Sequence, residues 1–268
     1  MLVAIGGDKG SPGVTTATLA LASAWVGPAI AVEADPAGGD LAIRLRSDGS
    51  ALPEGPTVLS VVTAARAKRD DYSVRAYVHA FNATTGVIPG AMYAEQMVNV
   101  GDWTPLAEAL RQCQSDVFLD VGHLHSASPM LSLAARADLV IAVARPDLTS
   151  VVRLRDRLAR LALDLAQLRG AAPRLLPVLV TTSRHGSADV ADLRRIIEDT
   201  PAKPFVVGCG FLAHDASAVR RLQSGDEPAG RLSRTDLMRT ARQVNEIIGS
   251  LVGLAPATDS ALTAGGQQ

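Results

Sequence analysis

This chain contains few lysines and few cysteines, and its net charge is close to zero. Each of these features excludes some classes of function. Only three of its 26 basic residues are lysines, namely Lys9, Lys68 and Lys203. The formal net charge is −1, which gives no electrostatic reason to expect DNA or a membrane surface as a partner. The two cysteines, Cys113 and Cys209, lie far apart without metal-ligand spacing. We therefore expect two reduced thiols rather than a disulfide or a metal centre.

Long hydrophobic runs are also lacking. No apolar stretch reaches the roughly 20 residues that cross a bilayer. The first apolar run, Leu2 to Ile5, is too short and lacks the basic flank of a signal peptide. Hydrophobic residues nevertheless make up 47% of the 268 residues, enough for a sizeable core. The sequence therefore predicts a folded cytoplasmic protein, with recruitment to a cell pole or a membrane periphery left open.

Short continuous apolar runs alternate with stretches of helical periodicity. This pattern predicts an α/β fold with a doubly wound, mostly parallel sheet and helices on both faces. We expect one domain over residues 1–254 and a disordered tail over 255–268. The predicted strands are Leu2–Ile5, Ala29–Glu33, Gly86–Ile88, Val117–Asp120, Leu139–Ala144, Leu176–Thr181 and Phe205–Val207. The predicted helices are Thr15–Trp25, Trp103–Gln112, Leu148–Leu168, Ala188–Glu198 and Thr235–Leu251.

A glycine-rich loop joins the first strand to the first helix, and it contains one of the few lysines. Gly10 and Gly13 allow a tight turn that presents backbone N–H groups to an anion, and the following helix adds its N-terminal dipole. Thr15 offers a hydroxyl where a P-loop has its magnesium ligand. A plain glycine-rich turn is the alternative. Because ligands bind beyond the carboxyl ends of parallel strands, this loop is the first candidate site.

The loop resembles the deviant Walker A motif K-G-G-x-G-K-[ST] of the ParA/MinD family, P-loop ATPases of the SIMIBI class. Here the stretch is Lys9-Gly10-Ser11-Pro12-Gly13-Val14-Thr15. The resemblance implies ATP or ADP with Mg²⁺ as cofactors and a nucleotide-sandwich homodimer in which Lys9 reaches the partner's phosphates. It implies nucleotide contacts at the following positions: Gly10, Ser11, Gly13, Val14, Thr15 and Thr16.

Val14 is the main departure from the family, because it replaces the lysine that holds the β- and γ-phosphates. Removing one preorganised donor typically costs about 10²–10³ in rate. We therefore expect a pseudo-ATPase with weak or lost hydrolysis and weak nucleotide binding. The alternative is an active ATPase that uses Lys9 instead. A ligase such as a dethiobiotin-synthetase-like enzyme needs the second lysine even more strictly, so Val14 argues against it.

Acidic residues follow two of the predicted strands in the order the family uses. Glu33-Ala34-Asp35-Pro36 resembles its D-x-D-P segment, and Asp120 resembles the Walker B aspartate. The resemblance implies that Asp35 and Asp120 hold magnesium through water, beside the Thr15 hydroxyl. Lys9 and Asp35 are then the catalytic candidates. Glu33 has one methylene more than the family's aspartate, which argues against a catalytic role for it. The alternative interpretation of this segment is an acidic turn in which Asp40 is the N-cap of the next helix.

Later segments match the family less closely. Ala137 to Asp147 resembles a structural strand and turn, in which Asp147 or Thr149 caps the next helix. Thr181-Thr182-Ser183 stands where relatives carry an adenine-reading asparagine. Val207 to Asp215, with Arg220 and Arg221, resembles the base-side loop. His123 and His125 form an H-x-H pair without a third metal ligand in the sequence nearby.

Two further surfaces have competing interpretations. Thr235–Leu251 has the apolar face of a membrane-surface helix, but it also lies where this fold needs a covering helix. Arg153, Arg155, Arg157 and Arg160 resemble a DNA-contacting row, weakened by acidic neighbours. The phrases GSPGVTT and VEADPAGGDLA also resemble MinD-like, TadZ-like proteins of high-GC bacteria. That resemblance implies a dimeric localisation factor whose protein partner belongs to a pilus, secretion or partition system.

Overall fold

The structure is a computed structural model that describes residues 1–8, 13–47, 49–67 and 73–252. The strands are β1 (Leu2–Gly7), β2 (Ala29–Glu33), β3 (Arg46–Ser47), β4 (Ser50–Ala51), β5 (His79–Ala80), β6 (Thr85–Ile88), β7 (Asp116–His123), β8 (Leu139–Ala144), β9 (Leu175–Thr181) and β10 (Gly210–Ala213). The helices are α1 (Val14–Ser23), α2 (Leu41–Arg44), α3 (Val58–Ala67), α4 (Ala94–Val98), α5 (Thr104–Arg111), α6 (Leu131–Ala135), α7 (Leu148–Arg169), α8 (Gly186–Glu198), α9 (Ala216–Gln223) and α10 (Asp236–Val252). Short 3₁₀ helices cover Val74–Tyr77, Lys203–Phe205 and Leu232–Arg234.

Eight strands form one sheet in the order β10-β9-β8-β1-β7-β2-β6-β5. Every pairing in it is parallel except β5 with β6, an antiparallel edge. The predicted fold class is therefore confirmed. β1 is central, with β7 on one side and β8 on the other, so the loop that follows it opens at the middle of the carboxyl edge.

Two apolar clusters, one on each face, explain why the central strands are continuous apolar runs. Leu2 and Ala4 of β1 belong to one cluster with residues of α3, α5, α6, α7 and α8, whereas Val3 and Ile5 belong to the other with α1, α9 and α10. Side chains of a strand alternate between faces, and both faces here are covered by helices. No position of β1 can then be polar without a buried partner.

The last strand corrects one prediction. Phe205–Val207 is not a strand: Phe205 ends a 3₁₀ turn that contains Pro204, and Val206 makes only an isolated bridge to Leu175. Proline lacks an N–H and fixes φ, which suits the start of a short helical turn. The edge strand lies further on, at Gly210–Ala213. The turn-rich stretch 47–56 also contains the small β3–β4 hairpin.

α10 packs inward as the covering helix. Leu237, Met238, Ala241, Val244 and Ile248 are all buried in the cluster beside α1 and β10. The apolar face of α10 therefore packs into the core, as the covering-helix interpretation predicts. Along the described chain no helix has the length and apolar composition that a membrane crossing requires. The predicted tail, 255–268, lies outside the described residues.

Candidate functional site

The amino terminus of α1 leaves backbone donors open at the centre of the carboxyl edge. Gly13 has φ 74° and ψ 48°, a left-handed conformation that glycine adopts without strain. The first helical hydrogen bond runs from Ala17 N–H to the Gly13 carbonyl, over 2.8 Å. The N–H groups of Val14, Thr15 and Thr16 precede that bond, and among the described residues no side chain caps them. Three amides and the helix dipole can thus meet an anion.

Val14 turns its side chain away from this edge. It is only 5% exposed and belongs to the apolar cluster that includes Val3 and Ile5 of β1. Its backbone N–H remains one of the open donors, but its side chain offers an approaching ligand neither charge nor hydrogen bond. Lys9, Gly10 and Ser11, the other loop positions predicted to bind nucleotide or act in catalysis, lie outside the described residues.

Thr15 and Asp120 meet directly at the end of β7. The Thr15 hydroxyl donates to Asp120 Oδ2 over 2.5 Å, and the Gly122 N–H donates to Asp120 Oδ1 over 2.8 Å. Asp120 is completely buried. Its pKa is raised to about 7: burial is the largest cause, these two hydrogen bonds oppose the rise, and the nearby carboxylates of Glu33 and Asp35 add to it. The predicted pair of magnesium-site residues is therefore assembled in one place.

Asp35 lies beside them, at the end of β2. Its Oδ1 accepts the Ala37 N–H over 2.8 Å, which folds the chain into a tight turn. A Cβ atom at Gly122 would come within 2.2 Å of Asp35 Cγ, and Gly122 has φ +60°. The absence of a side chain at Gly122 is what lets the Asp35 carboxylate pack against the segment after Asp120. The three predicted site residues Thr15, Asp35 and Asp120 thus share one corner of the molecule.

Glu33 has a different role from the one its position in the sequence pattern suggests. It is 2% exposed and accepts three backbone N–H groups: Asp40 over 3.0 Å, Leu41 over 3.2 Å and Gly90 over 2.9 Å. Burial raises its pKa, and these hydrogen bonds counteract the rise. The carboxylate therefore caps the start of α2 and ties β2 to the end of β6. Asp40 precedes α2, but its side chain pairs with Arg44 instead of capping the helix.

A cavity of about 640 Å³ opens beside the α1 terminus, toward the β8, β9 and β10 ends of the sheet. Its volume falls within the usual range for small-molecule sites. Thr16 contributes to its wall, whereas Val14 and Thr15 do not. The lining residues are Gly13, Thr16, Ala17, Arg145, Pro146, Val180, Thr181, Thr182, Leu212, Ala213, His214, Asp215, Ala216, Val219, Arg220 and Leu237.

The polar side chains at the β9 end are already engaged. Thr181 donates to Asp189 over 2.6 Å, and Thr182 shares a hydrogen bond with His185 over 3.1 Å. Ser183 donates to Asp236 over 2.6 Å. These contacts stabilise the turn into α8 and the start of α10, so the hydroxyls at this end hold the wall of the cavity in place.

The start of α7 agrees with the sequence prediction. Asp147 caps the helix by accepting the Ser150 N–H over 3.0 Å, and Gly170 ends it in a left-handed conformation. Along the predicted arginine row, Arg157 pairs with Asp8 over 2.9 Å and Arg155 pairs with Asp156 over 2.8 Å. Arg157 therefore anchors the chain just before the glycine-rich loop. In the part of the chain that the structure describes, no three His, Cys, Asp or Glu side chains form a metal-binding group, so His123 and His125 gain no third ligand.

No family model matches the chain, and no curated protein matches it in sequence. Solved structures match it over most of their length. A ParA family ATPase from Chlorobium tepidum aligns with a TM-score of 0.67 and 15% identity, covering 91% of this chain and 97% of that one. The cell division ATPase MinD from Pyrococcus furiosus aligns at 0.65 and 17%, covering 93% and 98%.

A third solved structure, an ATP complex of a McdA variant from Cyanothece, aligns with a TM-score of 0.64 and 14% identity, covering 96% of this chain and 98% of that one. Each of the three likenesses covers more than nine-tenths of this chain. The chain therefore has the fold shared by ParA, MinD and McdA ATPases.

Proposed function

We propose that this protein is a nucleotide-binding positioning or partitioning factor of the ParA/MinD kind that binds ATP or ADP with Mg²⁺ and hydrolyses ATP weakly or not at all. It acts as a homodimer whose assembly depends on occupancy of the nucleotide site. The observation that carries the proposal is the contrast at the start of α1, where open backbone amides and the Thr15–Asp120 pair remain while Val14 is buried in the core.

The residues present fit a magnesium nucleotide. The N–H groups of Val14, Thr15 and Thr16 suit phosphate oxygens. The Thr15 hydroxyl suits direct magnesium coordination, with Asp120 and Asp35 holding coordinated water. Magnesium usually takes few protein ligands and keeps several waters, which matches this sparse set. When bound, the ion neutralises charge on the phosphates. The McdA relative was solved with ATP, which supports this choice of ligand.

Weak turnover follows from the side chain at position 14. A buried valine supplies no charge to a transferring phosphoryl group, and loss of one such donor lowers a rate by about 10²–10³. Bound ATP would then leave the site mainly by dissociation and not by hydrolysis. A site whose occupancy follows nucleotide binding and release suits a scaffold or a switch better than a motor. We therefore place its partner among pilus, secretion or partition components, and its location at a pole or another recruited site.

Calorimetry on the purified protein tests this proposal. ATP and ADP are titrated with and without Mg²⁺, and light scattering follows the oligomeric state in the same buffers. We expect magnesium-dependent binding of both nucleotides and a shift from monomer to dimer with ATP. The absence of binding by either nucleotide at millimolar concentration would refute a nucleotide-dependent function.

The competing proposal is an active ATPase in which Lys9 supplies the missing charge. The intact Thr15–Asp120 pair favours this alternative, because it keeps the metal side of the site complete. The Lys9→Ala variant separates the two proposals. Steady hydrolysis by the wild-type protein that disappears in Lys9→Ala establishes the active enzyme, whereas negligible hydrolysis by both proteins supports the binding factor.

A further inference from the structure

Two arginines in the cavity wall differ from most arginines of this chain. Arg145 follows β8, and Arg220 lies in α9. Both are exposed. Within the described ranges, no hydrogen bond or ion pair is made by either guanidinium. By contrast, thirteen other described arginines donate to a carboxylate or a carbonyl, and they are Arg44, Arg46, Arg66, Arg111, Arg155, Arg157, Arg169, Arg174, Arg194, Arg195, Arg221, Arg239 and Arg242.

The strand register places Arg145 next to the glycine-rich loop. In the parallel pairing of β1 with β8, Gly7 is opposite Val143. Arg145 therefore leaves β8 two residues beyond the level of Gly7, the last residue of β1. Neighbouring strands lie about 4.8 Å apart, so the Arg145 backbone emerges beside the stem of the loop. Arg220 belongs to an element that follows β10, two strands further from β1.

Arg145 also shares its cavity with the α1 terminus. Gly13 and Thr16 line the same space, so the start of α1 and Arg145 border one volume. Pro146 fixes the backbone directly after Arg145 and restricts it to an extended conformation. The only carboxylate that follows closely is Asp147, and it is engaged by the N–H and hydroxyl of Ser150. Those two hydrogen bonds lower the pKa of Asp147 most, and the charge of Arg145 contributes least.

We propose that Arg145 supplies, within the same chain, the positive charge toward the ligand's phosphates that Val14 cannot supply. This inference rests on the proposed function. It explains how the protein binds a nucleotide although Val14 replaces the lysine of the loop. The ligand class is a nucleoside diphosphate or triphosphate whose phosphates lie between the α1 terminus and Arg145. A guanidinium suits this task because its planar fork can donate two parallel hydrogen bonds to a phosphate.

Arg145 contributes to nucleotide binding in the ground state but not to hydrolysis. Arg145 comes from the β8 side of the cavity, whereas the valine that replaces the family's lysine starts α1. A cation on a different element can hold the phosphates without matching the geometry of the lysine in the reaction. Arg145 is thus a binding residue, and the proposal predicts affinity without restoring turnover.

Titration of charge-neutral variants tests the proposal. Dissociation constants for ATP and AMP are measured by calorimetry for the wild-type protein, Arg145→Gln and Arg153→Gln. Arg153 is the matched control because it is exposed on α7, lies outside the cavity and has no hydrogen bond within the described structure. We expect Arg145→Gln to weaken ATP binding about tenfold or more, the scale of one charge-assisted hydrogen bond. The loss should be smaller for AMP, and Arg153→Gln should match the wild type.

Two additional measurements keep the outcomes distinct. Arg145→Lys retains the charge and should recover part of the ATP affinity, and thermal unfolding checks that each variant is folded. Unchanged ATP affinity in a folded Arg145→Gln, or an equal loss for ATP and AMP, would overturn the role of Arg145 while leaving the proposed function intact. Failure of the wild-type protein to bind any nucleotide would instead refute the proposed function itself.

Discussion

Removing the Glu33 side chain should destabilise this protein far more than an average surface substitution. Glu33→Ala leaves the N–H groups of Asp40, Leu41 and Gly90 without their acceptor, and Glu33 is almost fully buried. A buried donor without a partner costs about 1–3 kcal/mol. Removing the buried charge offsets part of the cost of these three unpaired donors. We therefore expect a net loss of about 3–5 kcal/mol, a large share of the 5–15 kcal/mol typical of a domain.

Urea unfolding followed by circular dichroism measures this effect through the midpoint and slope. Glu33→Gln is the informative partner variant, because its carbonyl can replace Oε2 toward Leu41 and Gly90 while its amide faces the Asp40 N–H. We expect it to lose about 1–3 kcal/mol. Glu54→Ala, at an exposed position, is the control and should stay within about 0.5 kcal/mol of the wild type.

The reasoning fails if Glu33→Ala and Glu33→Gln both unfold at the wild-type urea concentration. Wild-type stability combined with a selective loss of magnesium-dependent ligand binding would show that Glu33 belongs to the metal site. In that case the capping of α2 would be incidental, and the family's acidic pattern would have given the correct role.

Three further predictions concern the corner around Asp120. In magnesium-free buffer the stability contribution of Asp120 is complete below its ordinary pKa of 3.8 and is lost as pH rises toward about 7, with a slope on the order of 1 kcal/mol per pH unit. Urea unfolding at pH 5 and pH 7 should show this fall in the free energy of unfolding, and Asp120→Asn should remove it. The same pH dependence in Asp120→Asn would contradict the raised pKa of Asp120. Gly122→Ala should lower the free energy of unfolding by about 1–3 kcal/mol, because the new Cβ would collide with Asp35 and the residue has a positive φ. An unchanged melting temperature would show that Asp35 moves freely. Val14→Lys should lose about 1–3 kcal/mol of buried contact. Its longer side chain can extend from the buried position to the carboxyl edge, so ATP should bind about tenfold more tightly in calorimetry; weaker ATP binding in the folded variant would mean that a cation at position 14 does not reach the phosphates.

The sheet could be predicted from the sequence because burial on both faces produces continuous apolar runs. β2, β8 and the long helix α7 fall where that pattern and the capping candidate Asp147 place them. β10 could not be found this way. Its four residues, Gly210–Ala213, give little periodicity, and the stronger apolar signal at Phe205–Val207 is interrupted by the turn at Pro204.

The candidate site could be predicted only where its residues lie close to a strand end in sequence. Thr15 and Asp120 were identifiable because Thr15 begins the helix predicted after the first strand and Asp120 ends the predicted strand Val117–Asp120, and parallel strand ends meet at one edge. The role of Glu33 depends on Gly90, 57 residues away, and no local pattern reports such a contact. Arg145 became a candidate only when the strand register placed it beside the loop and a shared cavity joined it to α1.

The central claim is that this site holds a nucleotide without turning it over. A single-turnover experiment tests it most directly: excess protein is mixed with γ-labelled ATP and Mg²⁺, and bound label and released phosphate are measured in the same sample. With the protein concentration above the dissociation constant, we expect label to be bound at equilibrium and to be recovered as intact ATP over many minutes. Prompt release of phosphate from the bound ATP, or no retention of label at all, would contradict it.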